Sequence, residues 1–148
     1  MTSSITCAVG PLRPHHVGVS VPDLDAALTW YERMLGFVVE QRQYIDKIPA
    51  HVAFARRDDF RIEFFQVEGA APLPEDRRVP NLDLRTHGTK HLCLEVPDVP
   101  AAVSALRAAG ADIAYEIRVE GNPVAFIRDC AGNLIELIEP FAADRPRG

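Results

Sequence analysis

One octapeptide pattern, opening on His and closing on Val-Pro-Asp, occurs twice in this chain and limits what the chain can fold into. The first copy is His16-Val17-Gly18-Val19-Ser20-Val21-Pro22-Asp23, and the second is His91-Leu92-Cys93-Leu94-Glu95-Val96-Pro97-Asp98. Each opens on a histidine and alternates apolar residues through a short strand. Each then turns at Val-Pro-Asp into an alanine-rich amphipathic run that stops at a glycine. The histidine-to-glycine distance is 20 residues to Gly36 and 19 to Gly110. Two copies of one supersecondary unit explain this repeat, and a repeat of this kind fixes the fold before any single element does.

The first unit can be followed residue by residue. Val17, Val19 and Val21 alternate with His16, Gly18 and Ser20, the period-two pattern of a half-buried strand. Asp23 is a good N-cap, with a carboxylate for the open amides of the next helix. Leu24, Ala27, Leu28, Tyr31 and Leu35 follow at helical spacing, and Gly36 suits the left-handed residue that ends such helices. Strands are predicted over Phe37 to Tyr44, His51 to Ala55 and Arg61 to Val67, with Arg56-Arg57-Asp58-Asp59 as a charged turn. The second unit repeats the plan. A strand runs from His91 to Val96, and Asp98 caps a helix bearing Val99, Ala102, Val103 and Leu106. Pro100 is tolerated in its first turn. Strands follow over Ile113 to Glu120, Val124 to Arg128 and Leu134 to Ile138.

These units predict an α+β domain that repeats one βαβββ plan twice. The modules span residues 15–68 and 90–140 of a single domain, 15–140. An N-terminal arm, 1–14, precedes it, and a frayed tail, 141–148, follows. The linker, 69–89, carries Pro72, Pro74 and Pro80 among charges, so little regular structure is expected there.

Bulk properties narrow the function. Sixteen basic residues are scattered among 21 acidic ones, which argues against a nucleic-acid footprint. No apolar run reaches the length of a membrane span. The first ten residues lack the basic start and apolar centre of a signal peptide. Cys7, Cys93 and Cys130 are an odd number without paired spacing, as suits a reduced, cytoplasmic protein.

The chemistry lies in the polar residues of these strands. Glu63 follows His16 by 47 residues and Glu136 follows His91 by 45. All four alternate with strongly apolar neighbours, so they share the sheet face opposite the helices. A charged residue in mid-strand is costly to bury unless it is paired or bound to a metal. Two imidazoles and two carboxylates, placed alike in a repeat, suggest one shared divalent ion: zinc, nickel, cobalt, manganese or iron.

The residues quoted so far also resemble the vicinal oxygen chelate superfamily of glyoxalases, bleomycin-resistance proteins and extradiol dioxygenases. The matching words are His16-Val17-Gly18-Val19 with Val21-Pro22-Asp23-Leu24-Asp25, Trp30-Tyr31-Glu32, Leu35-Gly36-Phe37, His91 to Val96, Phe126 to Asp129, and Gly132 to Leu137. The resemblance runs from about His16 to Glu139. It implies two paired βαβββ modules forming an open sheet cup around a metal site, with His16, Glu63, His91 and Glu136 at the four metal positions, a full set similar to that of glyoxalase I and some epimerases. Cys130 departs from the proline that relatives commonly carry before Gly132-Asn133, and is read as a turn variant.

Other candidates have plainer readings. His15 points away from His16 on an extended chain. His51 either lines the cup or sits on the surface, and His87 is a loop histidine. Trp30 and Tyr31 are packing residues. Cys93 shares the cup face with His91, and Arg77 and Arg78 form a solvated charge run able to meet an anionic substrate.

The expected activity is a metal-dependent epimerase or isomerase that enolises a small hydroxy-carbonyl or thioester substrate, with Glu63 and Glu136 as catalytic bases. The alternatives are an extradiol-type dioxygenase, a glyoxalase-type lyase, and a metal-free small-molecule binding or resistance protein. The partners expected are the small-molecule substrate and a second copy in a homodimer, because modules of this kind pair within a chain or across two chains.

Overall fold

A computed structural model describes residues 8–144. The start of the expected arm, with Cys7, and the last four residues of the tail lie outside the described residues. The first unit contains β1 (Val17–Ser20), α1 (Leu24–Leu35), β2 (Val38–Ile45), β3 (Ala50–Arg57) and β4 (Phe60–Val67). A 3-10 turn (Glu75–Arg78) and the one-turn α2 (Pro80–Asp83) follow. The second unit contains β5 (Leu92–Glu95), α3 (Val99–Ala108), β6 (Asp112–Val119), β7 (Asn122–Arg128) and β8 (Leu134–Ile138).

The helix caps act as the sequence predicts. Asp23 accepts from the Ala26 amide at 2.9 Å and Asp98 from the Ala101 amide at 2.8 Å. Gly36 ends α1 at φ 71°, and its amide donates to the Glu32 carbonyl. The charged turn is shorter than expected. Arg56 and Arg57 continue β3 in register with Arg61 and Phe60, leaving Asp58 at φ 51° to reverse the chain.

Each unit folds into a four-stranded mixed sheet, in the orders β1-β4-β3-β2 and β5-β8-β7-β6. The first strand pairs parallel to the last, with Gly18 beside Glu63 and Cys93 beside Glu136. The sheets are not closed, and each leaves its histidine-bearing strand at a free edge. The core lies on the helix-covered faces of both. Leu28 and Leu35 of α1, Val103 and Leu106 of α3, and Ile62, Phe64, Ile135 and Leu137 of the sheets belong to one buried cluster. Burying such side chains is worth roughly 1.5–3 kcal/mol each, so this shared core dominates the stability of both units. Among the described residues no helix is long and apolar enough to cross a membrane.

The linker is more ordered than its prolines predict. Asp83, only 1% exposed, accepts from Arg77 Nε at 2.9 Å and from Lys90 Nζ at 3.2 Å. Lys90 also donates to the Asp83 carbonyl at 2.7 Å and to the Thr86 carbonyl. One buried carboxylate thereby gathers both ends of the 77–90 segment, and Pro80 is placed where a helix needs no amide donor.

Candidate functional site

Strand alternation puts His16 on the face of Gly18 and Ser20, opposite Val17 and Val19. On the neighbouring strand Glu63 lies between Ile62 and Phe64, both fully buried on the helix side, so its carboxylate emerges on the other face. His16 Nε2 lies 3.1 Å from Glu63 Oε2, with the side chains 34% and 17% exposed. The second unit repeats this. His91 Nε2 lies 2.9 Å from Glu136 Oε2, with the side chains 24% and 22% exposed.

Each pair rests on a phenylalanine that the sequence reading missed. Phe54 is the cross-strand partner of Glu63, and its ring meets His16 edge-on at 5.1 Å between centroids and 88° between planes. Phe126 is the partner of Glu136 and meets His91 at 4.9 Å and 88°. An imidazole held by a carboxylate on one side and a ring on the other has little rotamer freedom left. The signal was present in the sequence. Both phenylalanines sit one strand beyond the glutamate, but only the antiparallel register identifies them as partners. Tyr115 stacks on Phe126 at 5.4 Å and 10°, extending the apolar floor in the second unit alone.

The structure thus brings the four predicted residues together as two pairs. Among the described residues no group of three or more His, Cys, Asp or Glu side chains converges to hold a metal ion. The donor types suit a divalent ion, but one chain presents them as two halves.

The remaining candidates separate clearly. His15 is exposed, and its Nδ1 lies 2.7 Å from His16 Nδ1. His51 packs against Tyr44 at 4.9 Å. His51 and Tyr44 line a groove of about 1320 Å³ that His87, Arg77 and Arg78 share, between Val17–Pro22 and His87–Cys93. Arg77 is held by Asp83 and by the Thr89 carbonyl. The Arg78 side chain covers Gly132, where an added Cβ would meet it at 3.1 Å. Cys93 is exposed beside the second pair; partial burial of its thiol, with the Glu136 charge, pushes its pKa up to about 12. Trp30 packs against the core as expected. Tyr31 does more: its hydroxyl donates to Asp129 at 2.8 Å in a buried bond.

Comparison with known proteins gives this arrangement a context. The ethylmalonyl-CoA/methylmalonyl-CoA epimerase of Cereibacter sphaeroides is 32% identical over 133 residues, covering 84% of this chain and 96% of that protein. The lactoylglutathione lyase of Pseudomonas putida is 26% identical over 158 residues, covering 85% and 84%. Among solved structures, a glyoxalase family protein from Enterococcus faecalis superposes with a TM-score of 0.74 at 19% identity, over 86% of this chain and 97% of that one, a likeness of fold. The sequence profile of the Glyoxalase/Bleomycin resistance protein/Dioxygenase superfamily matches residues 15–127, and the chain belongs to that superfamily.

Proposed function

We propose that this chain is an enzyme that moves a proton α to a carbonyl, as an epimerase of a small oxygenated substrate of the hydroxy-carbonyl or thioester class. The observation that carries the reading is the mirrored pair of His–Glu–Phe arrangements, which offers two equivalent carboxylates on equivalent strands. Epimerisation at an acidic carbon needs one group to take the proton from one face and another to return it to the opposite face. Glu63 and Glu136 are the only mid-strand glutamates that project from these faces beside a histidine among the described residues.

His16, Glu63, His91 and Glu136 are the residues that would hold a divalent ion. Such an ion supplies a Lewis acid that stabilises the negative charge on an enolate oxygen. The chain's own residues do the rest. Phe54 and Phe126 pack edge-on against the two imidazoles and hold them in place beside the carboxylates. Epimerase and lyase relatives both support proton transfer next to a carbonyl, and the two-carboxylate geometry favours epimerisation over a one-way lyase step.

Solvent exchange tests the proposal. Candidate 2-substituted acyl thioesters and α-hydroxy ketones are incubated with the protein in D2O, and the α carbon is followed by NMR. Deuterium entering at that carbon together with loss of optical rotation is the expected result. An unlabelled, optically unchanged substrate across both classes would sink the proposal.

A further inference from the structure

We infer that the first half of the site selects substrates carrying a carboxylate beyond the reacting group, and that Arg61 is the residue that reads it. This deepens the proposed function by naming a second feature of the substrate, and it rests on the placement of His16 and Glu63 in the reacting site. The first ground is position. Arg61 precedes Glu63 by two residues on β4, so alternation sets it on the same face as Glu63. Ile62 and Phe64 are buried on the helix side. Val17 of the parallel neighbour β1 pairs with Ile62, so His16 lies beside Arg61. Arg61 therefore stands next to the His16–Glu63 pair on the face that carries it.

The second ground is a break in the repeat. Phe54 opposite Glu63 matches Phe126 opposite Glu136. One row further, Arg61 opposite Arg56 is matched by Leu134 opposite Arg128. Leu134 is 4% exposed and joins Val124 and Phe126 in a small apolar cluster. Arg128 is spent on the Arg78 carbonyl and the Asp112 carboxylate. The second half is thus closed by apolar packing at the place where the first half carries a cation whose side chain is 26% exposed. Two halves alike in histidine, glutamate and phenylalanine differ here in charge, so they meet different parts of a substrate.

The third ground is that the Arg61 guanidinium is held but not used up. Glu40, at the bulge of β2 between Val39 and Gln41, accepts from Arg61 Nε at 2.8 Å and from Nη2 at 3.4 Å. Arg56 Nη1 reaches the same carboxylate at 3.5 Å, so two cations share it. Asp59, also 3.5 Å from Arg56, is fully exposed and screened by water. An arginine presents five N–H donors in a fixed fork, and Glu40 takes two of those on Arg61. The fork's geometry suits a planar carboxylate. Arg77 and Arg78, which the sequence marks as able to meet an anion, are engaged elsewhere. Asp83 and the Thr89 carbonyl hold Arg77, and Arg78 packs over Gly132.

Binding of matched ligands provides the test and needs no turnover. 2-Oxopentanoate offers a vicinal-oxygen head alone. Oxaloacetate, 2-oxoglutarate and 2-oxoadipate share that head and add a second carboxylate at increasing reach. Each is titrated calorimetrically into the full chain. The best of the three diacids is expected to bind about 10-fold more tightly than 2-oxopentanoate, the usual worth of one hydrogen bond to a charged group. Arg61→Gln should bring the two within about 2-fold by weakening the diacid alone. Arg61→Lys keeps the charge without the fork and should leave a preference of roughly 3-fold. It decides the matter if circular dichroism shows the glutamine variant unfolded. Arg42→Gln removes the same charge from the opposite face, where Arg42 pairs with Asp25, and should keep the preference whole. Diacids bound no more tightly than 2-oxopentanoate, a preference that neither Arg61 variant reduces, or one lost equally in Arg42→Gln would overturn the inference. Solvent exchange without this preference would leave the epimerase reading standing alone, and the preference without solvent exchange would leave Arg61 as the reader of an acid that the chain binds but does not epimerise.

Discussion

Tyr31 and Asp129 lie 98 positions apart in the chain and share a buried 2.8 Å hydrogen bond. Tyr31 is 1% exposed and Asp129 is 4% exposed. Asp129 is otherwise the hub of the β7–β8 turn. Its Oδ1 accepts from the amides of Ala131 and Asn133, and its Oδ2 accepts from the Asn133 side chain. The tyrosine therefore couples α1 to the turn that leads into β8 and Glu136. Burial, followed by the Asp129 charge, pushes the phenol well above its ordinary pKa, so it stays a donor throughout the working range of pH.

Removing that hydroxyl should be felt as stability. In Tyr31→Phe the ring still fills its place among Phe37 and Phe64, while Asp129 loses one of four donors. A buried hydrogen bond to a charged acceptor is worth about 2 kcal/mol. Urea unfolding should show a lower midpoint with an unchanged slope, the mark of lost stability without lost compactness. A midpoint equal to that of the unmodified protein would mean that the contact holds nothing together.

Asp83 gives a second, independent stability prediction. Its carboxylate is the only acidic partner of Arg77 and Lys90 among the described residues. Asp83→Ala leaves two cations facing each other around an empty space. Arg77 is more than a third exposed and screened by water, which tempers the cost of breaking a buried pair to about 2 kcal/mol. The 77–90 segment should also become the first site of limited proteolysis, which a mere loss of global stability would not single out.

Much of this fold was legible because its cues are local. Asp23, Asp98, Gly36 and the valine alternation each act within a few residues, and α1 and β8 fall where the pattern puts them. The histidines and glutamates were legible as a face, because alternation assigns a side without knowledge of register. What stayed hidden depends on distance along the chain. Phe54 and Phe126 become partners of Glu63 and Glu136 only through strand pairing. Tyr31 reads as a packing residue, as its ring is, and nothing near it in sequence announces Asp129. Asp83 sits in a proline-rich run where a carboxylate reads as solvated. The division of the four site residues into two pairs is a matter of how the units sit together, and a repeat carries no information about that.

The thiols should be slow to react. Cys130 is exposed as a residue, yet partial burial of its sulfur, with the Asp129 charge, pushes its pKa up to about 11. The thiolate is the nucleophile, so raising the pKa lowers reactivity at any lower pH. Near neutral pH the thiolate fraction of Cys130 should be about 100-fold below that of an ordinary cysteine. Alkylation by iodoacetamide, followed by peptide mass mapping to separate the three cysteines, should give a rate that climbs through pH 9 and levels off only above 11. A rate that levels off near pH 8 would show the sulfur to be better solvated than its surroundings imply.

The two glutamates can be told apart by stereochemistry. If Glu63 and Glu136 serve opposite faces of one carbon, each single variant loses proton transfer on one face only. Glu63→Gln and Glu136→Gln keep the shape of strands β4 and β8 and should shift stability by under about 1 kcal/mol, because both side chains remain partly exposed. Each should lower racemisation by roughly 100-fold or more, the usual worth of a positioned acid or base. The informative result lies in the exchange. In D2O one variant should still wash deuterium into one epimer without inverting it and leave the other epimer unlabelled, and the second variant should show the reverse preference. Separate incubations of the two pure epimers with each variant, read by NMR, check this directly. Loss of exchange from both epimers in one variant and from neither in the other would assign all proton transfer to a single glutamate and leave its partner a binding role.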